Sequence, residues 1–114
     1  GLTEELIARL ETCAYECVIN IISYAYRDLA PAQHKISLEL MPIFDGARLM
    51  IRDDGNPFNP LDFAEKPLAA SLAEAEIGGL GIRLIRRLSS RCEYQRSDSC
   101  NVLTLEVGAP PSNV

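Results

Sequence analysis

An acidic residue and an amide residue stand four positions apart on the first predicted helix. Glu16 and Asn20 project from the same side of that helix, because side chains four residues apart share one face. The two groups could therefore act on one ligand. A solvated helical face shows the same spacing, so the pair acquires a functional meaning only together with other motifs.

Two glycine-bearing loops supply the remaining candidate groups. Asp53 closes a predicted strand, where its carboxylate can accept a hydrogen bond from a ligand amino group, and Gly55 lets the backbone approach closely. A second group, Gly78, Gly79 and Gly81, comes immediately before a predicted helix, whose first amides attract anions such as phosphate. No βαβ unit is predicted around this glycine loop, so the dinucleotide-binding and P-loop motifs lack the context they require.

The helix that holds Glu16 is predicted to begin at the capping residue Thr3 and to run to about Asp28, before Pro31. Apolar residues recur along it at spacings of three and four, which predicts an apolar stripe facing a sheet. The stripe consists of Leu6, Leu10, Cys13, Cys17, Ile21 and Ala25.

Two antiparallel hairpins are predicted, the first from residues 35–41 and 47–53 and the second from 92–96 and 102–107. The first strand alternates between apolar and polar residues, as a strand covered on one face would. The side expected to face the core holds Ile36, Leu38 and Leu40.

The segment between the hairpins has two parts. The sequence of residues 61–76 indicates few core contacts, so this stretch is a candidate lid. Within it, residues 68–74 could form a short helix. Residues 82–90 form a predicted amphipathic helix, with an outward, solvated face of Arg83, Arg86 and Arg87. Of these, Arg83 is near enough to the glycine loop to meet a phosphate.

Length and charge limit the class of protein. The 114 residues fit one domain, and the formal charge of −5 argues against a nucleic-acid surface. No apolar run approaches the roughly 18 residues needed to span a bilayer, and the N-terminus lacks the pattern of a signal peptide. We therefore expect a soluble cytoplasmic protein whose partner is a protein or a small ligand.

The four cysteines include no CxxC pair, and only His34 could join them as a metal ligand. Reduced, packed thiols are therefore expected at Cys13, Cys17, Cys92 and Cys100 instead of a zinc site. His34 itself is expected to be a solvated residue beside a strand start.

Three separated segments together resemble those of the gyrase, chaperone and histidine-kinase ATPase superfamily. The segments are Glu16-Cys-Val-Ile-Asn20, Ile51-Arg-Asp-Asp-Gly-Asn-Pro-Phe-Asn-Pro60 and Ile77-Gly-Gly-Leu-Gly-Ile82. Within that group, the Pro-Phe-Asn-Pro sequence at 57–60, the compact lid and the ending at 101–105 look like the bacterial anti-sigma-factor serine kinases.

The resemblance implies an α+β fold of the Bergerat ATPase type, a two-layer α/β sandwich whose mixed, mostly antiparallel sheet is covered on one face by helices. Residues 1–114 would form a single histidine-kinase-like ATPase domain, lacking the strand and helix that usually precede the acidic helix. The sequence departs from the family at Tyr24, where a histidine often stands, and near Ser99, where a glycine is usual. We expect the packing to tolerate the first change and the second to alter only a hairpin.

The resemblance also implies ATP and Mg²⁺ as cofactors and a role for each candidate residue. Glu16 would be the general base toward an attacking hydroxyl, and Asn20 would coordinate the Mg²⁺ that bridges the phosphates. Asp53 would read the adenine amino group, Gly55 would let the base lie against its loop, and Thr104 would touch the adenine side. An ordinary strand threonine remains an open interpretation of Thr104. The phosphates would be lined by Gly78, Gly79 and Gly81.

The family reaction would transfer the γ-phosphoryl group of ATP to a serine of an anti-anti-sigma protein and so free the kinase to hold its sigma factor. The alternative is a nucleotide-gated module that sequesters a sigma factor or another regulator without phosphotransfer. The ATP-binding half of a histidine kinase ranks last, because no helix with a phosphoacceptor histidine is predicted. Homodimers are common in the resembled family.

Overall fold

The molecule has two layers, an antiparallel sheet and a set of helices on one of its faces. The computed structural model describes residues 3–29, 33–64 and 79–108. Four strands, β1 (Ile36–Ile43), β2 (Gly46–Asp53), β3 (Arg91–Ser97) and β4 (Cys100–Gly108), form one sheet in the order β1-β2-β4-β3. All three neighbouring pairs are antiparallel, so the described sheet contains no parallel pair. The predicted α+β sandwich and both predicted hairpins are confirmed.

The first helix, α1, spans Glu4–Asn20 and begins where the capping residue predicts. The Leu6 backbone N–H donates a hydrogen bond of 3.1 Å to Oγ1 of Thr3, which satisfies one of the free amides at the helix start. The α-helix ends earlier than predicted, because a π-helical turn, Ile21–Ala25, follows it directly. The chain then leaves the helix at Asp28, whose φ of 65° is left-handed, whereas Pro31 lies outside the described residues.

The apolar stripe of α1 forms the centre of the core, as predicted. All six stripe residues are buried and belong to one apolar cluster. Alternate residues of the two central strands complete the cluster from the opposite layer, because side chains on one strand face alternate directions. They are Ala47, Leu49 and Ile51 of β2 and Leu103, Leu105 and Val107 of β4.

One expectation for the first strand is wrong. Leu38 and Leu40 lie opposite Ile51 and Leu49, on the face of the sheet that the helices cover. They are nevertheless 47% and 50% exposed, because β1 is the outer strand and the described helices pack over β2 and β4. The alternating pattern identified the strand correctly but did not determine how far the helical layer reaches.

Between the hairpins the structure describes two further helices, α2 (Leu61–Ala64) and α3 (Gly79–Leu88). The predicted amphipathic helix is confirmed, since Ile82 and Ile85 are buried and Arg86 and Arg87 are exposed, but Arg83, which was expected on the same outward face, is half-buried. It begins at Gly79, within the glycine segment, and packs against α1. The predicted helix at 68–74 and most of the candidate lid lie outside the described residues.

Replacing a core leucine should test this layered packing. Leu105→Ala, at a side chain with 0% exposure, should lower the free energy of unfolding by about 2–5 kcal/mol, because it leaves a cavity between the layers. Leu40→Ala removes the same atoms from a strand residue that is 50% exposed, and should cost about 1 kcal/mol or less. Urea unfolding followed by circular dichroism measures both. Equal losses would show that the helical layer covers the two strands alike.

Candidate functional site

A small, partly open cavity lies between the helices and the covered face of the sheet. Its walls come from α1, α3, three strands and the loop after β2, so residues far apart in sequence meet there. Three buried polar side chains and two aromatic rings face it, from Asn20, Asp53, Asn101, Phe58 and Tyr94. The fold thus brings two of the predicted site residues, Asn20 and Asp53, into one cavity.

The side chain of Asn20 is the most unusual polar group in this cavity. It is 1% exposed, and within the described residues neither its Oδ1 nor its Nδ2 has a hydrogen-bonding partner. A buried polar group without a partner costs about 1–3 kcal/mol and therefore requires an explanation. A ligand in the cavity would supply that partner, which makes Asn20 a candidate binding residue.

Asp53 is buried at the end of β2, where the strand turns into its loop. Its Oδ1 accepts hydrogen bonds from the Gly55 N–H at 2.9 Å and from Asn101 Nδ2 at 2.8 Å. Among the described residues both of its hydrogen bonds reach Oδ1, which leaves Oδ2 available to a ligand donor. A ligand amino group is the complementary partner for such an acceptor.

Asn101 is the site residue that the sequence analysis missed. Its Nδ2 donates to Asp53 Oδ1 and to the Asn56 carbonyl, each at 2.8 Å. Its Oδ1 accepts the Phe58 N–H at 3.2 Å and the Tyr94 hydroxyl. A signal was present, because strand alternation places residue 101 on the same face as the apolar residues 103, 105 and 107, which makes it a buried polar residue.

The structure corrects the position of Thr104. The β2–β4 register pairs Thr104 with Met50, and the β3–β4 register pairs it with Glu93, on the face of the sheet opposite the helices. There it lies beside the ion pair between Arg48 and Glu106, whose closest N–O distance is 2.7 Å. Because successive strand residues point to opposite faces, Thr104 cannot share the face of the odd-numbered residues of β4. Its predicted place on the ligand side is therefore wrong.

Glu16 lies one helical turn before Asn20, outside the residues that line the cavity. It is packed against the first turn of α3, where a Cβ added to Gly81 would stand 3.0 Å from Glu16 Cδ and overlap the carboxylate. The glycine thus makes room for the acid at the start of a helix. Gly79 begins that helix, and Gly78 lies outside the described residues.

Gly55 is required for a different reason. A Cβ at this position would stand 2.6 Å from the Ala25 carbonyl oxygen, at the end of the π-helical turn. The loop is held there by the Asn56 N–H, which donates to the same oxygen at 2.8 Å, and by Arg96 Nη1, which donates to the Gly55 carbonyl at 2.8 Å. Gly55 therefore lets its loop approach the end of the π-helical turn closely. Its predicted contact with a ligand base stays a prediction.

The neighbouring acid, Asp54, has a structural role away from the cavity. Its Oδ1 accepts the Tyr26 hydroxyl at 2.8 Å and lies 3.2 Å from His34 Nδ1. The Tyr26 hydrogen bond holds the pKa of Asp54 below its usual value, while burial raises the pKa of Tyr26. The two adjacent acids therefore have different contacts: Asp54 holds the segment after the π-helical turn, and Asp53 faces the cavity.

An aromatic pair supports the loop that borders the cavity. The rings of Tyr24 and Phe58 stack with centroids 4.8 Å apart and planes 10° apart, and the Arg27 guanidinium lies 5.4 Å from the Tyr24 centroid. The departure from the family at Tyr24 is therefore accommodated by packing, as expected. Phe58, which also lines the cavity, is held against the π-helical turn by this stack.

All four cysteines are free thiols, as predicted, and no cluster of metal-binding side chains is found in the described ranges. Burial raises the pKa of Cys13 and of Cys92 to about 11 in each case, and it raises the pKa of Cys17 further, with contributions from the two neighbouring thiols. These groups are protonated at neutral pH. They act as apolar packing residues, and Cys17 forms part of the cavity wall.

Comparison with known proteins defines the class. Residues 1–107 match the family described as the histidine kinase-like ATPase domain. The chain belongs to this family, and an ATPase domain implies that the protein binds ATP. No solved structure gives a match.

Three curated relatives narrow the class further. The chain is 38% identical over 104 residues to the serine/threonine-protein kinase BtrW of Bordetella bronchiseptica, covering 91% of this chain and 72% of the relative. It is 29% identical to the anti-sigma F factor of Oceanobacillus iheyensis and 32% identical to that of Shouchella clausii, over 80% and 73% of this chain. It spans 61% and 56% of those two relatives. The resemblance to anti-sigma-factor kinases is confirmed.

The two glycines allow a matched test of the site's packing. Gly55→Ala should lower the free energy of unfolding by about 1–3 kcal/mol, because the new Cβ meets backbone atoms that cannot move independently. Gly81→Ala should change it by less than about 1 kcal/mol, because the carboxylate of Glu16 can rotate away and alanine favours the helix. Thermal and urea unfolding measure the difference. A larger loss at Gly81 would contradict this assignment.

Proposed function

We propose that this protein is an ATP-dependent serine/threonine kinase and anti-sigma factor that phosphorylates an anti-anti-sigma partner. The observation that carries the proposal is the buried amide of Asn20, which has no hydrogen-bonding partner among the described residues and shares one cavity with Asp53, whose carboxylate is hydrogen-bonded at Oδ1. The family match and the relatives, which are named as a serine/threonine-protein kinase and an anti-sigma F factor, support it. No described helix is long and apolar enough to cross a membrane, and we place the reaction in the cytoplasm.

The nucleotide would lie with its base toward β2 and its phosphates toward α1 and α3. Oδ2 of Asp53 would accept a hydrogen bond from the adenine amino group. Oδ1 of Asn20 fits a Mg²⁺ ligand, because Mg²⁺ binds few protein oxygens and completes its shell with phosphates and water. Bound there, the ion would neutralise phosphate charge. The start of α3, with Gly79 and Gly81, would bind phosphate oxygens through backbone amides, together with Gly78.

Phosphoryl transfer would then require a base beside the phosphates. The serine hydroxyl of the partner would attack the γ-phosphorus, forming a new O–P bond as the bond to the β-phosphate oxygen breaks and ADP leaves. Glu16 would accept the hydroxyl proton. Its position against the first turn of α3, one helical turn from Asn20, supports this role.

A second function has one observation in its favour. Glu16 does not line the cavity, so the chain could bind ATP and capture a sigma factor without transferring phosphate. This nucleotide-gated module would bind ATP through Asn20 and Asp53, as the kinase would, and would differ from the kinase only in the role of Glu16. Either form could act as a homodimer.

Binding measurements should distinguish the contact that Asp53 makes with the adenine base from the contact that Asn20 makes with Mg²⁺ at the phosphates. We expect Asp53→Ala to weaken ATP binding about tenfold or more, because the adenine amino group loses a charged acceptor. Asn20→Ala should instead abolish most of the gain in affinity that Mg²⁺ provides. Thr104→Ala, on the opposite face of the sheet, should leave both quantities unchanged. Calorimetric titration with and without Mg²⁺ gives all three, and a wild-type protein that binds no ATP would refute the site.

Phosphotransfer itself should depend on Glu16. Glu16→Gln keeps the shape of the side chain but removes the base, so transfer to an anti-anti-sigma partner should slow by about 10²–10⁴-fold while ATP affinity is retained. Single-turnover phosphorylation with labelled ATP measures the rate. If the variant phosphorylated its partner at the wild-type rate, Glu16 would not be the base. If neither protein transferred phosphate but both captured a sigma factor, the binding module would replace the kinase.

A further inference from the structure

Asn101 connects more of the site than any other described side chain. It is buried on β4 directly opposite Asp53 of β2, and its amide makes four hydrogen bonds to three separate parts of the chain. Its nitrogen reaches the Asp53 carboxylate and the Asn56 carbonyl, and its oxygen receives the Phe58 N–H and the Tyr94 hydroxyl. Both its donor and its acceptor atoms are therefore occupied within the protein, unlike those of Asn20.

These hydrogen bonds fix which oxygen of Asp53 faces the cavity. Oδ1 is held by two donors, the Asn101 amide and the Gly55 N–H, on two sides. Rotation of the carboxylate would break both. Oδ2 is therefore an acceptor in one fixed position, and an acceptor held in place in this way allows a buried site to reject a ligand whose own donor lies elsewhere.

We propose that Asn101 is a positioning residue that makes the base site prefer a 6-amino purine to a 6-oxo purine. The inference rests on the proposed function, in which Asp53 Oδ2 accepts the 6-amino group. A 6-oxo purine has an oxygen in place of the 6-amino group, and its nearest hydrogen-bond donor is the ring N1–H. A carboxylate free to rotate can follow that donor, whereas one fixed by Asn101 meets the oxygen and repels it.

The test compares ATP with inosine triphosphate, which carries the same sugar and phosphates but a 6-oxo base. The ratio of their dissociation constants with Mg²⁺ is measured for the wild type, Asn101→Ala and Asn101→Thr. We expect Asn101→Ala to reduce the preference for ATP about tenfold, the size of one hydrogen bond to a charged group. Asn101→Thr introduces a hydroxyl that can donate to Asp53 in place of the amide but loses the bonds to the loop, so this variant should retain much of the preference without retaining the thermal stability.

A purely structural role for Asn101 predicts different results. In that case Asn101→Ala would weaken ATP and inosine triphosphate by the same factor, and Asn101→Thr would be no more selective than Asn101→Ala. Either result would overturn the inference while leaving the ATP site intact. Wild-type protein that bound neither triphosphate would instead refute the proposed function and this inference with it. Circular dichroism below the melting temperature confirms that each titrated variant is folded.

Discussion

The antiparallel pairing of β2 with β4 is the interaction on which the site depends. Its register places Ile51 opposite Leu103 in the core and, two residues further, Asp53 opposite Asn101. A slip of one residue would turn every side chain of one strand to the other face, which would expose the apolar residues and separate the two polar ones. The apolar core therefore fixes the register, and the register assembles the acceptor that faces the cavity. Stability and binding geometry are consequences of one alignment.

Three buried polar side chains of this cavity show different degrees of hydrogen bonding. Asn101 is fully bonded, Asp53 is bonded at one oxygen, and Asn20 is unbonded within the described residues. The order matches the roles proposed for them, since a residue that positions others must be satisfied by the protein and a residue that binds a ligand must remain available. The cost at Asn20, about 1–3 kcal/mol, is borne by the free protein. A ligand that supplies the partner recovers that free energy, which links binding to stability.

Local patterns predicted the elements of this fold, but not the relations between distant strands. Periodicity identified α1, α3 and both hairpins, and the motifs identified Asp53 as a cavity residue. Thr104 was placed on the wrong face because its role came from the resemblance and not from the alternation of β4, which turns the odd-numbered residues toward the helices. The pairing of Asn101 with Asp53 depends on the register between distant strands and is seen only in the structure. The exposure of Leu38 and Leu40 was missed for a similar reason, since alternation within a strand does not say how much of a sheet the helices cover.

The π-helical turn after Asn20 has a physical cause in the apolar stripe. Cys13, Cys17, Ile21 and Ala25 recur every four residues, whereas an α-helix turns once in about 3.6 residues, so each step rotates the stripe by about 40°. A continuous α-helix would carry Ala25 away from the sheet. The wider turn at Ile21–Ala25 reverses this drift, and Ala25 is fully buried. Because α1 ends at Asn20, the same adjustment lies next to the amide that has no partner among the described residues, and π-helical turns are frequent at functional sites. The geometry that keeps the stripe against the sheet thus also places the proposed binding residue at the junction of two helical forms.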